Sequence, residues 1–148
     1  MTSDPPTKCS ITVQSVPAVL DDLYGQILGK LRESGFSEDD MFGVHLAFEE
    51  GFINAVKHGN KMDDTKTVRV EYTISKEKVE ICITDQGEGF ALDSVPDPRV
   101  GENLFRPDGR GLLLIGAYMD TVEYRAPGNC LYMAKYKHSD KNKSSKME

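Results

Sequence analysis

The segment Phe48-Glu49-Glu50-Gly51-Phe52-Ile53-Asn54-Ala55-Val56-Lys57-His58-Gly59-Asn60 reads as the end of an amphipathic helix, and it constrains the chain more than any other stretch. Residues four apart share a helix face. Phe48, Phe52 and Val56, with the adjacent Ile53, form an apolar stripe that must be covered, and a sheet is its natural cover. Glu50, Asn54 and His58 fall on one polar line, and Lys57 flanks it. A carboxylate there can accept a proton or orient a water. A carboxamide oxygen is a hard-cation ligand of the kind magnesium uses. A lysine can meet phosphate. By itself the same face also reads as a solvated helix surface.

The rest of the chain supplies the cover. Residues 1–9 are polar and Pro-bearing and read as a frayed, disordered N-terminus. Ser10 to Val16 alternates as a half-buried strand. Pro17 opens a helix that carries Leu20, Leu23, Tyr24, Ile27, Leu28 and Leu31 and stops at Ser34-Gly35. Ser37 is the expected N-cap of the next helix, with Glu38, Asp39 and Asp40 in its first turn. That helix is expected to run to Gly59.

Thr67–Ile74 and Val79–Thr84 alternate and read as a hairpin. Residues 91–108 hold Pro96, Pro98 and Pro107 and no periodicity, the mark of a functional lid or a disordered loop. Leu112 to Met119 reads as a short buried helix, Asp120–Arg125 and Cys130–Tyr136 as strands, and 138–148 as a disordered lysine- and serine-rich tail. The order β-α-α-β-β-lid-α-β-β predicts an α+β two-layer sandwich over residues 10–137. Its sheet should be mixed or mostly antiparallel, with three helices on one face. A doubly wound nucleotide fold is excluded, because it needs repeated βα units.

Composition narrows the partners. A net charge of −6 argues against a general nucleic-acid binder. Cys9, Cys82 and Cys130 form no zinc-spaced pair and no disulfide framework, which points to a reducing cytoplasm. Cys82 and Cys130 are expected to be buried and inert. No apolar run approaches the roughly 20 residues that span a bilayer, and the N-terminus does not read as a signal peptide.

Two glycine motifs complete the pattern. Asp85-x-Gly87-x-Gly89 sits at the exit of a buried strand. A carboxylate there can accept a hydrogen bond from an exocyclic amine, and the glycines let backbone approach a flat ring. Gly109-Arg110-Gly111 precedes an apolar helix, whose N-terminal N–H groups favour phosphate, and Arg110 adds a charge. Arg106 stands nearby as a second candidate for the γ-phosphate. No G-x-x-x-x-G-K-[ST] is present, so a P-loop is excluded.

Taken together, Glu50-x-x-x-Asn54, Asp85-x-Gly87-x-Gly89, a proline-rich lid and Gly109-x-Gly111 resemble the Bergerat-fold (GHKL) ATPases. The string from Phe48 to Gly59 looks like the bacterial anti-sigma-factor serine/threonine kinases of that superfamily. The likeness covers roughly residues 10–137. It implies Glu50 as general base, Asn54 as magnesium ligand and Asp85 as the adenine-recognising carboxylate. Gly87 and Gly89 would shape the adenine pocket, and Gly109 and Gly111 the phosphate end of an ATP lid spanning about 91–110. Lys57 matches a possible phosphate contact.

The implied cofactors are ATP and magnesium. The implied partners are a sigma factor and an anti-anti-sigma substrate of the STAS type, with a possible homodimer and neither nucleic acid nor membrane. Two positions depart from the family pattern. Asn129 stands where a threonine is common, within reach of adenine or its water, and Leu112-Leu113-Leu114 replaces a further glycine. The alternative reading is a nucleotide-responsive module that sequesters a partner and transfers no phosphate.

Overall fold

The computed structural model describes residues 6–87, 114–125 and 129–137. Strand β1 (Thr7–Gln14) leads through a 3₁₀ turn (Pro17–Val19) into α1 (Leu20–Glu33) and α2 (Glu38–Asn54). The hairpin β2 (Thr67–Ile74) and β3 (Lys78–Thr84) follows, then a short helix α3 (114–118), β4 (Thr121–Arg125) and β5 (Cys130–Tyr136). The strands form one sheet in the order β1-β2-β3-β5-β4. Every described ladder is antiparallel, so the parallel component of a mixed sheet is not found among them.

The expected frayed terminus is shorter than the sequence suggested. Thr7, Lys8 and Cys9 pair with Ile74, Thr73 and Tyr72, which extends β1 along the full length of β2. The pairing supplies backbone partners that a polar composition does not reveal.

One face of the sheet is apolar and takes the helices. Val68, Val70, Tyr72 and Ile74 of β2, Val79, Ile81 and Ile83 of β3, and Leu131 and Met133 of β5 are buried. Leu23, Tyr24, Ile27 and Leu31 of α1 meet them in one core with Val44, Phe48 and Phe52 of α2. Phe48 and Phe52 are each 0% exposed. Burial of such a side chain contributes about 1.5–3 kcal/mol. Tyr24 joins the two helices by donating its hydroxyl to the Met41 carbonyl at 2.9 Å. Ser37 caps α2 as expected, its hydroxyl accepting the Asp40 N–H at 3.1 Å.

Gly51 sets how closely α2 approaches the sheet. A Cβ there would stand 3.0 Å from Ile83 Cδ1 and Met133 Cε and 3.1 Å from Leu131 Cδ2. Glycine removes that contact and lets α2 settle on β3 and β5, between Glu50 and Asn54.

The expected buried helix at 112–119 is only partly so. Ile115 and Met119 enter the core, whereas Leu114 is 39% exposed and Gly116 and Ala117 face solvent. A helix lying on a sheet edge buries one stripe, and the run of leucines conceals that periodicity. Leu112 and Leu113 lie outside the described residues. Among the described residues, no helix is long and apolar enough to cross a membrane.

Candidate functional site

Helix α2 changes character at Asn54. Residues Ala55–Gly59 form a π-helical turn, closed by the Asn60 N–H donating to the Ala55 carbonyl at 2.8 Å. A π-turn carries an extra residue per hydrogen-bonded loop and is frequent at functional sites. It breaks the expected line of Glu50, Asn54 and His58. Glu50 and Asn54 keep their four-residue step within α2, while Lys57 and His58 sit exposed on the wide turn. The i, i+4 rule holds only while the helix stays α.

Asn54 is 8% exposed, and its Nδ2 has no hydrogen-bond partner among the described residues. A buried polar group without a partner costs free energy comparable to a lost hydrogen bond. The unpartnered Nδ2 is a donor and calls for an acceptor; a hard cation would be held by the carboxamide oxygen, one helical turn from the half-buried Glu50.

Asp85 follows β3 and packs directly on the π-turn. A Cβ added to Gly59 would overlap the Asp85 carboxylate, and one added to Gly87 would overlap the Gly59 carbonyl. The close seat therefore needs glycine on both sides. The Gly87 N–H donates to Asp85 Oδ1 at 2.8 Å. Burial raises the Asp85 pKa above the ordinary carboxylate value, opposed by that N–H bond and by Lys66.

The backbone of Asp85 is clamped from β5. Its N–H donates to the Asn129 carbonyl at 3.0 Å, and Asn129 Nδ2 donates to the Asp85 carbonyl at 2.8 Å. The Asn129 amide N–H thus holds the loop. An adenine contact from this side chain would fall to its oxygen.

Asn60 is the residue that sequence reasoning missed. It is 0% exposed. Its Nδ2 donates to Ser15 Oγ and to the Thr67 carbonyl, both at 3.0 Å, and its Oδ1 accepts the Gln86 N–H at 2.7 Å. Gln86 in turn accepts the Thr67 N–H at 2.7 Å through Oε1. One side chain thereby ties the end of β1, the start of β2 and the Asp85-x-Gly87 loop to the π-turn. An asparagine after a helix-ending glycine is the only signal in the sequence, and it is an ordinary turn signal. Asn60→Ala would remove three hydrogen bonds, one of them fully buried and two part-buried. The expected loss is about 3 kcal/mol, read as a lower urea midpoint at unchanged m-value.

The structure therefore brings together Gly59, Asn60, Asp85, Gly87 and Asn129 around one strand exit, with Glu50 and Asn54 on the helix that leads into the π-turn. Gly89, Arg106, Gly109, Arg110 and Gly111, and the expected lid, lie outside the described residues.

Comparison with known proteins identifies the family and the fold. Residues 17–135 match the family model described as the histidine kinase-like ATPase domain. The serine-protein kinase RsbW of Listeria monocytogenes serotype 4a is 34% identical over 115 residues, 73% of each chain. The serine-protein kinase RsbW of Staphylococcus aureus is 30% identical over 131 residues, 81% of this chain and 82% of that one. A solved structure of the RsbU and RsbW domains of Rv1364c from Mycobacterium tuberculosis superposes with a TM-score of 0.61 at 16% identity. That match covers 89% of this chain and 32% of the other. The chain belongs to the histidine kinase-like ATPase family, on the branch whose curated members are named serine-protein kinase RsbW.

Proposed function

We propose that the protein binds Mg-ATP and transfers its γ-phosphoryl group to a serine or threonine of an anti-anti-sigma partner of the STAS type. That transfer would switch its hold on a sigma factor. The observation that carries this reading is the Asp85 carboxylate. It is partly desolvated, seated on Gly59 and Gly87, and held through its backbone by Asn129. Such a group accepts a hydrogen bond from a flat ring's exocyclic amine at little reorganisation cost. The relatives named serine-protein kinase support a hydroxyl acceptor.

Phosphoryl transfer asks the protein mainly for positioning and charge neutralisation. Asp85 fixes the adenine end, and Gly87 lets its loop sit against Gly59. Asn54 would hold magnesium through its carboxamide oxygen. Magnesium, when bound, neutralises charge on the phosphate oxygens. Glu50 would take the proton from the attacking hydroxyl onto its carboxylate.

Calorimetric titration with ATP, with and without magnesium, tests the site. Magnesium-dependent binding is expected in the native protein. Asn54→Ala should lose the magnesium dependence and about tenfold or more of ATP affinity, on the order of 1.4 kcal/mol, with an unchanged circular dichroism spectrum. Unchanged magnesium-dependent affinity would remove Asn54 from the site. Labelled ATP with a serine-bearing STAS-domain protein tests transfer. Tight binding without transfer would leave the sequestering module as the function.

A further inference from the structure

Strand β5 carries a cation on its apolar face. Leu131 and Met133 enter the core, and period-two alternation puts Lys135 on the same side, its side chain 11% exposed. The ammonium donates to the carbonyl of Tyr118, the last residue of α3, at 2.9 Å. It also stands 3.8 Å from Oδ1 of Asp40, whose side chain is 3% exposed in the first turn of α2. One lysine therefore joins a strand and two helices. A buried ion pair is a poor stabiliser, because desolvation offsets much of the attraction, and its best-attested use is to fix register.

Given the roles proposed above for Glu50 and Asn54, on which this inference rests, we propose that Lys135 is a positioning residue for the transfer. It sets the axial register of α2 against α3 and the sheet, and so places the carboxylate and the carboxamide that α2 carries.

Apolar packing holds α2 close more than it holds α2 in place. A Cβ on Gly43 would stand 3.3 Å from Tyr118 Cδ1, and one on Gly51 3.0 Å from Ile83 Cδ1. At both close approaches the helix offers no side-chain ridge, and burial of apolar surface is non-directional. A charged, hydrogen-bonded lysine is directional. Other directional contacts reach α2 from elsewhere. Tyr24 holds the Met41 carbonyl, but from α1. Asn60 anchors the far end, but the π-turn stands between it and Asn54. Glu50 lies in the same unbroken α-helix as Asp40, so a shift at Asp40 reaches Glu50 undiminished. The helix on the other side of the lysine, α3, follows the Gly109-x-Gly111 motif in the sequence.

The test uses the double variant Lys135→Met/Asp40→Asn in the full chain, because removing one partner alone strands a buried charge. Hydrogen exchange without nucleotide needs no kinase activity. Amides of residues 49–54 should exchange about tenfold faster, while those of β2 and β3 and the urea midpoint stay native. With labelled ATP and a STAS-domain protein, kcat should fall about tenfold or more at a KM for ATP within about threefold of native. Asp40→Asn alone, which keeps the bond to Tyr118, should move both readouts the same way by less. Lys135→Arg, which keeps the charge and the donor, should restore most of both. Native exchange at 49–54, a rise shared by the whole sheet, a native kcat, kcat and KM moving together, or an arginine variant as slow as the double variant would each overturn the proposal. Absence of transfer by the native protein would overturn the kinase reading instead, and the exchange result would then decide this one.

Discussion

Asp85→Asn should produce a protein at least as stable as the original that no longer binds ATP. The carboxylate is partly buried, and burial raises its pKa. The native state therefore favours the protonated, neutral form more than the unfolded chain does. The sign of the linkage follows. The associated stability is fully present below the unfolded carboxylate pKa and is lost as pH rises through the higher folded value. At neutral pH the charge is a net cost. Asparagine removes the charge and keeps an oxygen to accept the Gly87 N–H. Recognition fares differently. An amide can turn only one oxygen, and Gly87 takes it, so its NH₂ would face the adenine amine donor to donor. A loss of about a hundredfold or more in ATP affinity is expected, on the order of 3 kcal/mol. Calorimetry and a thermal melt on the same sample check both halves. Retained affinity would remove Asp85 from the adenine role, and a marked fall in melting temperature would show that the ionised form stabilises the loop. Stability traded against a binding group is a common pattern at functional sites.

Much of this arrangement was legible in the sequence, for identifiable reasons. Strands β2 and β3 alternate strictly because one face is core and the other is open, and β5 does so up to Met133, so their boundaries could be read almost to the residue. Ser37 announced α2 because an N-cap is a local interaction. Features that depend on distant partners stayed hidden. The β1 extension to Thr7 exists because β2 offers it a ladder. The π-turn is fixed by Asn60, whose partners lie on β1, β2 and the Asp85 loop. Asn129 reads locally as a hairpin residue, yet its amide holds a residue 44 positions away. Cys82 and Cys130 looked buried because period-2 alternation does not say which face is core. The register puts them on the open face.

Glu50→Gln should keep ATP binding and lose transfer. Glu50 stands on α2 one turn before Asn54, half-buried on a helix whose approach to the sheet is set by Gly51. Packing fixes the helix, and the helix fixes the carboxylate, so the group is held on a rigid element. Glutamine keeps the size and an oxygen, but it cannot take a proton. General-base contributions run to about 10²–10⁴-fold, so transfer to a STAS-type serine should fall by that order while the calorimetric affinity for Mg-ATP changes less than about threefold. The pairing with Asn54→Ala separates the two roles. One variant breaks magnesium-dependent affinity, and the other breaks the step that follows binding. Should Glu50→Gln lose affinity and rate together, Glu50 would belong to the ligand shell rather than to the proton transfer. Should it stay fully active, another base would serve the hydroxyl. The neighbouring Glu49 is exposed, and it lies five residues from Asn54 rather than one helical turn. Glu49→Gln is therefore the control expected to transfer at the native rate.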